Sequence, residues 1–172
     1  YWEDNLAYPF TGNLATFLAT ANLNDMGVFQ KDPGETGKLT AITGLSLFVD
    51  ANIIALIDNE LTHIPALPTT GNLEQFYCNV NLVTSITNFP NSLTAIGVNT
   101  NPGLATIPAI PPLVTFLSLS LTALPAVEVA SVCSQLVDHG LNNGFLELVG
   151  LDESLALADI TTLIGRGWTV TV

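Results

Sequence analysis

The chain has 172 residues, 48% hydrophobic and only 10% charged, and its fifteen Asp and Glu against three Lys and Arg give a net charge of −12. This length suffices for one domain with a real core, while the charged fraction falls well below the roughly 25% of ordinary globular domains. The acidic balance argues against nucleic-acid binding, which needs basic clusters to neutralise phosphates, and against docking on an anionic membrane.

The first 38 residues differ in pattern from the rest of the chain. Tyr1, Trp2, Tyr8 and Phe10 make the opening stretch aromatic-rich. Leu14, Phe17, Leu18 and Ala21 have helical spacing, although residues 13–17 read equally well as an irregular leading unit. Asp32 to Gly37 is a loop by composition. The segment is expected to serve as an N-terminal cap or as an arm that packs on a neighbouring subunit, because aromatics near a chain end are costly unless covered. A start at Tyr1, with no methionine and no signal-like segment, reads as a processed product or part of a longer chain.

From residue 39 to 126 a short phrase recurs five times, ending at Ile42, Ile64, Ile86, Ile107 and Leu124, in steps of 22, 22, 21 and 17 residues. A fixed period of this size marks a solenoid, whose single unit cannot bury its own apolar edge but shares a core when stacked. Leu45, Leu67, Phe89, Ile110 and Val127 come after the phrase at a constant distance, and prolines cluster around them. A second apolar set reads Leu73-x-x-Phe76-x-Cys78, Leu93-x-x-Ile96-x-Val98 and Leu113-x-x-Phe116-x-Ser118, as short half-buried strands require. Asn59, Asn81 and Asn101 close each strand, where a side-chain amide can satisfy buried backbone groups. The unit, roughly L-x-x-F-x-V-x-x-N-x-L-T-x-I-P-x-L-P, resembles a bacterial, proline-containing leucine-rich repeat over about residues 39–127. The resemblance implies an α/β solenoid with a parallel β-sheet.

Residues between the buried strand positions make a candidate protein-binding face: Glu74, Gln75, Tyr77, Asn79, then Thr94, Ala95, Gly97, Asn99, then Val114, Thr115, Leu117. Its weak charge suits a protein partner or a neighbouring subunit. Val114 and Leu117 have the alternative reading that the C-terminal cap covers them. Asp50, Asp58 and Glu60, with Asn52 and Asn59, could bind calcium weakly, but their spacing fits a solvated acidic turn better.

Residues 127–172 read as a C-terminal cap. Val129, Val132, Cys133, Leu136 and Val137 have helical spacing, with Glu128 near the start, His139 in the last turn and Gly140 past the end. Asn143-Gly144 is a turn and Phe145 to Val149 a strand. A second helix runs through Leu155, Leu157, Ile160, Leu163 and Ile164, capped by Asp152 or Ser154 and ended by Gly165, before the alternating strand Trp168 to Val172. Asn143, Gly144, Leu146, Leu148, Leu163, Gly165, Arg166, Gly167 and Trp168 carry a further resemblance, to the closing module of leucine-rich-repeat proteins among tailed-phage virion proteins and related bacterial surface proteins.

No catalytic motif is present: no G-x-S-x-G, H-E-x-x-H, phosphate loop or EF-hand loop. His63 falls in a variable, exposed position, and His139 fits the helix end. Cys78 and Cys133 sit in apolar columns and make no disulfide framework. No stretch has the 20 or so uninterrupted apolar residues of a membrane helix. The expectation is a non-enzymatic protein without cofactor or metal, acting through protein–protein contacts in an oligomeric assembly. Its first reading is a tailed-phage virion subunit, for capsid decoration or the tail. The alternative is a secreted or surface-displayed bacterial adhesin or filament subunit, and the third reading is a host-targeted effector binding module.

Overall fold

A computed structural model describes residues 38–172. The chain is α/β. Six short strands, β1 (Ile53–Ala55), β3 (Gln75–Tyr77), β5 (Ala95–Gly97), β6 (Phe116–Ser118), β7 (Phe145–Glu147) and β8 (Thr169–Thr171), form one parallel sheet in that order. Two more, β2 (His63–Ile64) and β4 (Ser85–Ile86), pair in parallel elsewhere. Helix α1 (Ala126–His139) joins β6 to β7, and α2 (Leu157–Gly165) joins β7 to β8.

The register places Ile54, Phe76, Ile96, Leu117, Leu146 and Val170 in one row across the sheet. The first five of these are fully buried. Strands of three residues cannot bury a face alone. Behind them Leu56, Cys78, Val98, Leu119 and Leu148 form a second buried row, and Leu61, Val83, Leu104 and Leu124 a third. The core is thus a stack of matching apolar positions contributed by successive passes of the chain.

The first five strands of the six-stranded sheet each leave it through a left-handed residue: Asp58, Val80, Thr100, Leu121 and finally Gly150. The next residue completes the bend. Asn59, Asn81 and Asn101 are buried there, and each donates its amide to the carbonyl three residues back, to Leu56, Cys78 and Val98. The Oδ1 atoms of Asn81 and Asn101 accept N–H bonds from Leu61 and Val83 in the preceding pass. Thr122 occupies the next equivalent place, its hydroxyl donating to Leu119 at 2.8 Å.

The structure corrects the expected register at the C-terminal end of this series. The Pro90 carbonyl accepts the Leu93 N–H, and the Pro111 carbonyl accepts the Val114 N–H in the same way. The matching strand is therefore Val114-x-x-Leu117-x-Leu119, one residue later than the apolar pattern suggested. A slip of one residue moves every side chain to the opposite face. Leu113 is accordingly 51% exposed and Phe116 37% exposed, while Val114 and Leu117 are fully buried. Likewise Leu121 points outward, Leu124 is the buried residue of the fifth phrase, and Val127 lies exposed on α1 rather than in the apolar column.

Helix α1 buries Val129, Val132, Cys133 and Leu136, has Glu128 in its first turn and His139 in its last, and closes on Gly140 in the left-handed conformation. Around α2 the apolar face differs from expectation: Ile160, Leu163 and the N-cap Ala156 are buried, whereas Leu157 and Ile164 of the helix and Leu155 before it are exposed. Neither Asp152 nor Ser154 caps the helix; Ala156 stands at its N-cap without a side-chain bond. Instead the Asp152 carboxylate accepts the Ser154 N–H, and hydrogen bonding from Ser154 lowers its pKa.

Residues of the C-terminal motif interlock. The Asn143 N–H bonds the Arg166 carbonyl, and the Trp168 indole N–H bonds the Leu141 carbonyl at 2.9 Å. The Arg166 guanidinium donates to the Val137 carbonyl, tying the end of α1 to the end of α2. Trp168 lies so close over Gly144 that a Cβ there would meet its ring at 2.6 Å.

Candidate functional site: an aromatic row on the outer face of the sheet

Alternation along each strand turns every second side chain away from the core. On that outer face one row runs Ile53, Gln75, Ala95, Phe116, Phe145, Thr169, and the next runs Ala55, Tyr77, Gly97, Ser118, Glu147, Thr171. The small residues of β5 leave a shallow place at the centre. Tyr77 fills it: a Cβ on Gly97 would stand 2.7 Å from the Tyr77 ring. Tyr77 thereby reaches across β5 to Phe116, with ring centroids 6.5 Å apart in an edge-on arrangement. Phe116 and Phe145 stack at 5.2 Å with 12° between their planes. Three aromatic rings thus form a continuous row over four strands.

A polar line runs beside them. The Asn99 N–H donates to Asn79 Oδ1, Asn99 Nδ2 donates to Ser118 Oγ at 3.1 Å, and the Ser118 hydroxyl donates to the Glu147 carboxylate. The Tyr77 hydroxyl donates to Gln75 Oε1 at 3.1 Å, and burial raises its pKa. This line holds the face in one arrangement and ends on a negative charge.

Of the residues named from sequence, Gln75, Tyr77, Asn79 and Asn99 come together here. Glu74, Thr94 and Thr115 align at the start of β3, β5 and β6, linked by backbone bonds from the Thr94 N–H to the Glu74 carbonyl and from the Thr115 N–H to the Thr94 carbonyl. Val114 and Leu117 belong to the core, because the strand register is one residue later than expected. Phe116, Ser118, Phe145 and Glu147 were missed. The spacing from Pro111, matching that from Pro90, is the signal that would have found the first two. Tyr1, Trp2, Tyr8 and Phe10 lie outside the described residues.

The acidic turn does not assemble a cation site. Lys38 Nζ pairs with Asp58 at 2.6 Å, and the Asn59 amide turns inward to the Leu56 and Ile57 carbonyls. Among the described residues no group of three His, Cys, Asp or Glu is placed to hold a metal ion. His63 is exposed and bonds Ser85 Oγ at 2.8 Å. Cys78 and Cys133 are free and buried. Burial pushes the Cys78 thiol up, while burial and then the Asp159 charge push Cys133 to about 12. Among the described residues no helix is long and apolar enough to cross a membrane.

Compared with known proteins, the chain matches no family model, no curated protein and no solved structure.

Proposed function

We propose that the chain is a leucine-rich-repeat solenoid that serves as a non-enzymatic structural subunit of a tailed-phage virion, in capsid decoration or the tail, through protein–protein contacts. The observation that carries this reading is the preformed aromatic row Tyr77–Phe116–Phe145, held on a rigid sheet and partly open to solvent. Aromatic side chains supply large contact area at little conformational cost and are enriched in protein interfaces. Two further features support an assembly role. Among the described residues β8 is the sheet's last strand, its Thr169 and Thr171 are exposed, and such an edge can accept another strand. Helix α2 beside it exposes Leu157 and Ile164, and Leu155 just before the helix is exposed as well. The choice of a virion rests on the resemblance of the C-terminal motif.

Native mass by light scattering, measured at several concentrations, tests the assembly reading. A discrete or open-ended oligomer that Leu157→Asp with Ile164→Asp dissolves is the expected result. A monomer at every concentration that also binds no capsid or tail protein encoded beside it would overturn the reading.

A further inference from the structure

We propose that the β7 region of the outer sheet face docks a basic polypeptide, one of whose arginine or lysine side chains lies on the open ring face of Phe145 with its charge against Glu147. This deepens the reading of the sheet face as a protein-binding surface and rests on it. Phe116 covers one face of the Phe145 ring in a near-parallel stack, and Tyr77 closes the far side of Phe116. The face left over is the Phe145 face toward β8, where its register partner is the small, exposed Thr169. Ring faces carry negative potential and attract cations. Glu147 comes two residues after Phe145 and so projects from the same side of the sheet, about 7 Å along it. The Ser118 hydroxyl holds its carboxylate in place, and the ion pair among the described residues, Lys38 with Asp58, lies elsewhere.

Charge complementarity selects the occupant. The whole chain has three basic residues. Lys38 is paired with Asp58, and Arg166 is committed to the Val137 carbonyl. A second copy therefore supplies few cations, and the complement to an aromatic-plus-carboxylate site on a chain of net charge −12 is a different, basic protein. The near-parallel rings of Phe116 and Phe145 cover each other, so they do not offer the broad flat platform that would favour a sugar.

The test tracks backbone amide shifts of the isotope-labelled chain on titration with the peptide acetyl-(Arg-Thr)4-amide. Its uncharged counterpart carries citrulline for arginine. The expected result is shifts centred on Phe145, Glu147 and Thr169, with about tenfold weaker binding of the citrulline peptide. Phe145→Leu and Glu147→Gln should each weaken the arginine peptide by about fivefold. Equal affinity for the two peptides, shifts centred away from β7, or both variants binding as the parent does would overturn the proposal. So would the same amides responding to cellohexaose and not to the arginine peptide. A chain that oligomerises yet ignores the peptide loses this site alone. A monomeric chain that binds the peptide keeps the site while self-assembly fails.

Discussion

Asn81 ties two neighbouring passes of chain together. Its Oδ1 accepts the Leu61 N–H at 3.0 Å, and its Nδ2 reaches the carbonyls of Leu56, Cys78 and Asn79. Truncation to alanine strands the buried Leu61 N–H and weakens the bend, and each buried polar group left unpaired costs about 1–3 kcal/mol. Asn81→Ala is expected to lower unfolding free energy by about 3 kcal/mol in urea titration. Asn81→Thr should lie between the two, because Thr122 holds the same place with one hydroxyl bond. Val80, immediately before, gives the opposite sign. It is β-branched, 42% exposed, and held at φ 56°. Asparagine tolerates that conformation far better, so Val80→Asn is expected to add about 1 kcal/mol in the same titration. The asparagines were legible in sequence as bend residues. The left-handed residue before each was not, because Asp58, Val80 and Thr100 share no chemistry, only a backbone position.

Among the elements, the β7–α2–β8 unit depends on a close approach. Gly144 lies against the indole of Trp168, which is nearly fully buried, and no rotamer change at position 144 can relieve a Cβ. Gly144→Ala is expected to destabilise by about 2–3 kcal/mol, in the range of core overpacking. Trp168 emission should move to longer wavelength, read in a Trp2→Phe background. Unchanged emission and stability would show that the strand shifts freely. The elements themselves were readable: α1, its glycine stop and the final strand derive from 3.6- and 2-residue periods. Their faces were less so. The exposed Leu157 and Ile164 of α2 fit the helical period as well as the buried Ile160 and Leu163, and only contact with α1 and β8 decides which side is covered.

At the scale of the whole molecule, the stacked core makes the two cysteines reporters of opening. Both thiols are raised by burial, so neither presents a thiolate near neutral pH. The native chain is expected to resist a disulfide reagent at about pH 8. In rising denaturant Cys133, carried on helix α1, should react before Cys78, which lies deeper in the core just after β3. Simultaneous reaction at the global transition would indicate a single cooperative block.

The sequence alone determined the α/β class, because an apolar period of twenty-odd residues is best satisfied by passes of chain stacked side by side, and it determined which asparagines turn inward. Tertiary structure decided the register at Val114 and Leu117. The prolines at 111 and 112 offer two starting points for the count, and the Val114–Pro111 hydrogen bond selects one. Tertiary structure alone also made the aromatic row. Tyr77, Phe116 and Phe145 lie far apart along the chain, and they meet only because parallel pairing sets their strands within reach and Ala95 and Gly97 leave Tyr77 room to cross.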